Sequence, residues 1–477
     1  NATREQVMVG SSEFILRNGT IPWQGGEAVM DIHIQDGRIA AVGEGLPIDI
    51  KTESIDVAGK LVLPGIIDGH THLREFGFSE REDYFTGTAA AAVGGITTVF
   101  DMPNNDPKVT TTDAFKERRD RVMERAYVNI GLYVWACPKN VEILDQFAPL
   151  GAIGFKIFTA ESGYGDPAFK QYIAAEPQDM FRILEKTASF GGLTAIHSEN
   201  QALITYLEDL AQKTMEPDMR ALMFSRPNMV EDVAVFSEVA IARQTGARIH
   251  ICHVVGQGTV DFIRWAKQNY HGNLTCEVTP ANLLLTEKET IAMEGSIGRF
   301  SPPVHGAEHK QALWQGLLDG TIDMIGSDHA PQDIDRKLEK NVWKSAPGSP
   351  ALDYWVPLIL NQVAEENLSL ARFVEATSKR PAEVFGVYPK KGSLAVGADA
   401  DLVVIDMDKT WKLDPAKFMS KAKYSPFEGW PLRGLPVMTF VNGTLVAKDG
   451  EIVAEPGVGG FVSPGGEIVA SDRSALA

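Results

Sequence analysis

Gly65-Ile66-Ile67-Asp68-Gly69-His70-Thr71-His72-Leu73-Arg74 is the stretch on which the fold turns. The apolar run Leu61-Val62-Leu63 ahead of it reads as a buried parallel strand. That strand breaks at a glycine, and two histidines follow one residue apart. Residues i and i+2 of an extended backbone point to the same side. His70 and His72 can therefore hold one metal ion at the mouth of a strand. Two surface histidines in a loop would be spelled the same way, and what separates the two readings lies further along the chain.

Outward from this stretch, residues 57 to 385 alternate strand and helix patterns. Eight strands are expected, at 61–67, 97–102, 128–134, 153–158, 193–197, 248–253, 274–278 and 322–327. Helical patterns lie between most of them. One covers 229–243, with Val230, Val233, Ala234 and Ala240 on one face and Gly246 as its stop. Eight strand–helix units over this length predict an α/β fold, a (β/α)8 barrel of the TIM type. A doubly wound open sheet would carry a glycine-rich turn after its first strand, where this chain has His-x-His. Residues 1–56 and 386–477 read instead as short strands and turns, and together predict one small β domain, a sandwich built from both chain ends, beside the barrel. His33 reads there as an ordinary strand residue. The glycine-rich segment from Pro456 onward reads as loop or tail.

In such a barrel the active site lies at the C-terminal ends of the strands. The polar residues expected there form a set: His70 and His72 on the first strand, Lys156 on the fourth, His197 on the fifth, His253 on the sixth and Asp328 on the eighth. A lone histidine at a strand end is usually structural; four histidines and an aspartate at four strand ends predict a metal site. Lys156 sits in the apolar run Gly154-Phe155-Lys156-Ile157-Phe158, where an ammonium beside metal ions is strongly disfavoured. Either it snorkels to solvent, or it is carbamylated by carbon dioxide, which turns a cation into an anion with two oxygens able to bridge two metals. On the second reading His70 and His72 hold one ion and His197 and His253 the other. A hydroxide shared by the two ions is then the expected nucleophile. Asp328 would ligate one ion, accept the nucleophile's proton and deliver it to the leaving nitrogen.

Composition bounds the partners. The formal net charge of −18 argues against nucleic acid and against anionic membrane surfaces. The three cysteines, Cys137, Cys252 and Cys276, make no disulfide framework. No long apolar span or signal-like segment is found, so a reducing, cytoplasmic compartment is expected. Asn18-Gly19-Thr20 and Asn442-Gly443-Thr444 fit the glycosylation pattern but read as chance matches at turns.

The chain resembles the amidohydrolase superfamily in Asp68-Gly69-His70-Thr71-His72, Gly154-Phe155-Lys156, His197, His253 and Ser327-Asp328-His329. More closely it resembles the cyclic-amide branch: dihydroorotases, hydantoinases or dihydropyrimidinases, and allantoinases. Ala92-Val93-Gly94-Gly95-Ile96-Thr97-Thr98, Asp101-Met102-Pro103-Asn104 and Lys423-Tyr424-Ser425-Pro426-Phe427-Glu428-Gly429 extend the likeness over nearly the whole chain. The resemblance implies two zinc ions, with other divalent metals able to substitute, a carboxylated Lys156, and hydrolytic opening of a ring amide. Arg74 two residues past His72, with Asn104, looks like the dihydroorotase pattern, in which such residues grip a substrate carboxylate. A surface arginine paired with Glu75 or Glu80 is the plain alternative.

Other positions depart from that pattern. Thr279-Pro280 is followed by Ala281-Asn282, and Ser301-Pro302-Pro303-Val304-His305 replaces the usual Asn-Pro-Pro-Leu-Arg. The dihydropyrimidinase tyrosine is absent and Glu161 stands near its place. Asn282 and Ser301 are the candidates for bonding the ring's amide edge; Asn282 capping a turn is the alternative. A hydantoinase- or dihydroorotase-like enzyme leads, with an allantoinase or cyclic imide hydrolase behind it. A non-catalytic scaffold of the same fold and a mononuclear deaminase are the rivals. The small cyclic amide is the expected partner, and a dimer or tetramer of this chain the expected assembly. The segment 161–166 reads as a lid or as a rigid loop.

Overall fold

The computed structural model describes residues 13–47, 52–161 and 169–465, with the backbone of 468–469. Apart from Glu161, the segment read as a lid lies outside the described residues. The strand candidates form a barrel of eight: Ile66–Thr71, Ile96–Asp101, Asn129–Trp135, Gly154–Phe158, Leu193–His197, Arg248–Ile251, Leu274–Val278 and Met324–Ile325. Each pairs in parallel with the next. The ring closes at a parallel bridge between Thr71 and His329, where the His72 N–H donates to the His329 carbonyl at 2.7 Å. Helices cover the outside, so strands such as Asn129–Trp135 are buried along their whole length and carry few polar residues. Ile67, Phe100, Tyr133, Leu193 and Met324 fill the interior around Phe385, which makes the barrel a packed core with its polar residues collected at one end.

Leu61-Val62-Leu63 departs from its reading. Leu61–Pro64 pairs antiparallel with 402–405 in a second sheet, and the barrel strand begins only at Ile66. Gly65 is the crossing point. Its N–H donates to the Asp401 carbonyl at 2.7 Å. A Cβ there would lie 2.2 Å from Thr97 Oγ1, so no larger residue lets the chain pass from one sheet to the other. An apolar run buried on both faces looks alike in either sheet, which is why the break was not visible.

The second sheet takes its strands from both ends of the chain, in the order 451–452, 444–448, 431–441, 402–412, 61–64, 13–23, 26–35 and 38–43, with 53–56 beside 13–23. Phe14, Leu16, Ile32, Ile34, Val62, Leu402, Val404 and Phe440 form its own core. Asn18 and Asn442 take φ of 60° and 50°, the left-handed conformation that asparagine tolerates at turns. His33 pairs with Glu13 across neighbouring strands, at 2.8 Å. A buried ionic knot ties this sheet to the barrel: Lys391 Nζ lies 2.6 Å from Asp401 and 3.1 Å from Asp399, and Asp401 also accepts from the Asn129 side chain on the third barrel strand.

Two smaller expectations also change. The helix Met229–Thr245 buries Val230, Ala234, Val235, Glu238, Val239 and Ala242, and leaves Val233 and Ala240 exposed; Gly246 does stop it, at φ 73°. The segment after Pro456 is not all loop. Phe461–Val462 is buried and lies beside the third barrel strand, with Phe461 opposite Ile130. Two apolar residues among glycines were enough to dock it.

Candidate metal centre

Strand ends bring the predicted residues together. His70 lies inside the first strand and His72 just past it; Lys156 is central in the fourth; His197 ends the fifth; His253 and Asp328 follow the sixth and eighth. All four imidazoles and Lys156 are buried, and the Asp328 side chain is 16% exposed, at the open edge. The rings form a continuous row: centroids are 5.5 Å apart for His72 and His70, 5.2 Å for His70 and His253, and 4.8 Å for His253 and His197. Asp328 Oδ1 lies 3.3 Å from His70 Nε2 and 3.2 Å from His72 Nε2. His197 Nδ1 and His253 Nε2 face each other at 3.0 Å. Lys156 Nζ donates to Cys252 Sγ at 2.9 Å. His253 and Asp328 are held at φ of 34° and 48°, and Arg74 at 60°. Such backbone costs about 1–3 kcal/mol per residue and clusters where geometry is tied to function.

The outward nitrogens are anchored. His70 Nδ1 meets the Glu277 carboxylate, His72 Nδ1 the Asn104 carbonyl at 2.7 Å, and His197 Nε2 the Glu199 carboxylate at 2.8 Å. An acceptor on one ring nitrogen fixes a proton there and turns the other nitrogen inward, the arrangement of metal-binding histidines. His253 differs: its Nδ1 is buried with no hydrogen-bond partner among the described residues.

The electrostatics suit a cation. Burial holds His72 down to about 3, and it also keeps His197 and His253 below the ordinary imidazole range, with the Lys156 ammonium adding to both. These three rings are neutral and able to ligate. Burial pulls the same way on His70, but Glu277 and then Asp328 overcome it and raise His70 to about 10. The space between these carboxylates thus favours positive charge. Burial works against the Asp328 carboxylate too, yet His70 and His72 hold it well below the usual carboxylate range. His70, His72 and Asp328 each offer a ligand atom within 4.8 Å of one another. With the facing nitrogens of His197 and His253, this donor set fits divalent ions bound by imidazole and carboxylate.

Of the residues expected to meet substrate, Arg74, Asn104 and Asn282 follow the first, second and seventh barrel strands and fall at the same end. Arg74 is buried and close enough to His72 for its charge to be felt there. The Asn282 Nδ2 and Ser301 Oγ atoms are buried without partners among the described residues, while Asn282 Oδ1 accepts from the Thr279 hydroxyl that caps the short helix Pro280–Leu284. Asn104 is placed on His72 by its carbonyl.

Four further residues escaped the sequence reading. Glu277 is the one charge inside the buried strand Leu274–Val278, a signal of the same kind as Lys156. Glu199 lies two residues past His197, on the side it can share with it, and Arg226 holds it at 2.7 Å. Burial alone would raise the Glu199 carboxyl, but Arg226 and then His197 bring it down to about 2. Gln332, four residues past Asp328, is buried with both amide atoms unpartnered among the described residues, and nothing in its local sequence marks it.

Known proteins resemble the chain over almost all of its length. The Amidohydrolase family profile matches residues 61–446. An L-hydantoinase of Paenarthrobacter aurescens is 35% identical over 455 residues, covering 94% of this chain and 98% of its own. A dihydroorotase of Bacillus cereus (strain AH820) is 33% identical over 436 residues, covering 91% and 97%. The solved structure of an L-hydantoinase (dihydropyrimidinase) from Arthrobacter aurescens superposes with a TM-score of 0.90 at 34% identity, over 95% of this chain and 100% of that one.

Proposed function

The chain belongs to the amidohydrolase family, and from that premise we propose that it is a binuclear metal-dependent hydrolase opening a cyclic amide, with a hydantoin-type ring as first choice. The observation that carries this reading is the row of four buried imidazoles, three of them anchored from outside, with Asp328 at its open edge. His70 and His72 would hold one divalent cation and His197 and His253 a second, with zinc as the expected metal, Asp328 on the first, and a carbamate on Lys156 shared between them. Bound there, the ions supply the nucleophile by acidifying a water and polarise the ring carbonyl.

The remaining work falls to the chain's own groups. Asp328 is ionised at neutral pH and stands at the edge of the cage. It can take the proton released by the attacking water and return it to the ring nitrogen as the C–N bond breaks. The Asn282 amide and Ser301 hydroxyl have donors without a partner among the described residues, and these suit a ring carbonyl. Removing such donors from water without a partner costs about 1–3 kcal/mol each, a cost a bound ring would offset. Glu277, Asn104 and Glu199 keep the rings oriented.

A dihydroorotate-type ring is the second reading, favoured by the buried guanidinium of Arg74 beside His72. It also suits the likeness to dihydroorotases. Allantoin and cyclic imides complete the set. The test is ring opening by metal-loaded protein on hydantoin, dihydrouracil, dihydroorotate, allantoin and a cyclic imide. Hydantoins should turn over fastest; a preference for dihydroorotate would favour the second reading. No turnover of any ring by fully metallated protein would overturn both and leave a scaffold of this fold. A symmetric dimer or tetramer belongs to the same proposal and is checked by solution mass. Among the described residues no helix is long and apolar enough to cross a membrane.

A further inference from the structure

Glu277 is a carboxylate placed where carboxylates are rarely tolerated. It sits in the seventh barrel strand among Cys276 and Val278, and is 1% exposed. Burying an ionised carboxylate costs several kcal/mol unless hydrogen bonds and charge partners answer it. Its Oε1 meets His70 Nδ1 from the first strand, and the same oxygen accepts the backbone N–H of His253 after the sixth strand, at 3.4 Å. Its Oε2 lies 3.3 Å from His250 Nε2. The residue just past the eighth strand makes room for it: a Cβ on Gly326 would fall 2.6 Å from Oε2.

We propose that Glu277 is a positioning residue shared by both cation positions, its Oε1 tying the His70 ring of the first to the His253 backbone of the second. This rests on the metal-centre reading above. An ionised carboxylate only accepts, so in the neutral ring that a bound cation requires, the His70 proton sits on Nδ1 beside Glu277 and Nε2 is the nitrogen turned to His72 and Asp328. The contact with the His253 N–H bears on a residue already held in the left-handed region at φ 34°. That backbone sets where His253 Nε2 meets His197 Nδ1, 3.0 Å away. Asn104 and Glu199 each serve one ring; Glu277 alone among these three touches a residue from each pair.

The experiment is a zinc titration of the metal-stripped protein against a competing chelator, resolving both ions, for wild type, Glu277→Ala and Glu277→Gln. Removing the carboxylate should weaken both ions by about tenfold to hundredfold. Glutamine keeps an acceptor for His70 without the charge, and should weaken both by about threefold to tenfold. The absorption bands of the cobalt-loaded variants should shift as well, which a loss of barrel stability alone would not produce. Unchanged affinities, or weakening confined to one ion, would overturn the proposal. Should the alanine variant not fold, the glutamine variant decides by the same criteria. Wild-type protein that binds no ion tightly would instead remove the metal-centre reading, and the proposal with it.

Discussion

Lys156 Nζ lies 2.9 Å from Cys252 Sγ, deep in the barrel, with the centre of the Phe158 ring 5.1 Å away. A thiol is a weak acceptor and a ring face answers only part of a buried positive charge. The surroundings that would normally compensate a buried ammonium, a carboxylate within bonding distance, are missing among the described partners of this side chain. The carbamate proposed for Lys156 would replace this positive charge with an anion.

The first prediction follows from this. Lys156→Ala should lose at least one of two metal ions and lower kcat/KM by about a thousandfold or more, roughly 4 kcal/mol. Carbon-13 bicarbonate should label the wild type at a single carbamate resonance that the variant lacks. Elemental analysis and carbon-13 NMR are the measurements. Full metal occupancy and full activity in the variant would end the carbamate assignment.

Asp328→Asn keeps the shape of the side chain and removes its capacity to take a proton. Its oxygen can still stand near His70 Nε2 and His72 Nε2, where Asp328 Oδ1 lies at 3.3 and 3.2 Å. Ring turnover should therefore fall by about a hundredfold to ten-thousandfold while KM moves little. Steady-state kinetics on the best ring checks this; a loss seen mainly in KM would assign Asp328 to binding.

These side chains were legible because each broke a local rule. Two histidines spaced for one strand face, a lysine in an apolar run and an aspartate past a strand all stand out against barrel strands that otherwise repeat branched apolar residues. Their partners were not legible. Glu277 reaches His70 across 207 residues of chain, and Arg226 reaches Glu199 across 27, and no spacing encodes such contacts. Asn104 was visible as a polar residue after the second strand, but its carbonyl facing His72 Nδ1 is a property of how two strands pack. The first barrel strand starts later than the sequence pattern implies for a related reason: Leu61–Pro64 and Ile66–Thr71 are equally apolar at their junction, and only the turn at Gly65 sends them to different sheets.

Gln332 offers a prediction with opposite signs for activity and stability. Its Oε1 and Nε2 are buried without partners among the described residues, while its backbone N–H donates to the Tyr424 hydroxyl at 3.2 Å. An unpaired buried amide costs the folded protein about 1–3 kcal/mol. Gln332→Leu should therefore leave stability equal or slightly higher. If the amide bonds the ring, kcat/KM should drop by about tenfold to hundredfold on the preferred substrate. Thermal unfolding and kinetics on the same preparation check the pair of outcomes; a destabilised variant with unchanged kinetics would make Gln332 purely structural.

Lys391 tests the join between the sheets, far from the chemistry. Its ammonium is buried 2.6 Å from Asp401 and 3.1 Å from Asp399, and Asp401 in turn holds Asn129 and the Asn442 backbone. Lys391→Met fills the same volume and leaves two buried carboxylates facing each other without their cation. Removing one partner of such a cluster costs about 3–5 kcal/mol, far more than the intact cluster is worth against an apolar replacement. The variant should unfold at lower denaturant, while kcat on folded protein stays as in the wild type. Replacing all three together, Lys391→Met with Asp399→Asn and Asp401→Asn, removes the unpaired charges and should recover about half of the loss or more. A triple variant no more stable than the single one would show that the knot holds the sheets by its geometry, through Asn129 and Asn442, and not by balancing charge.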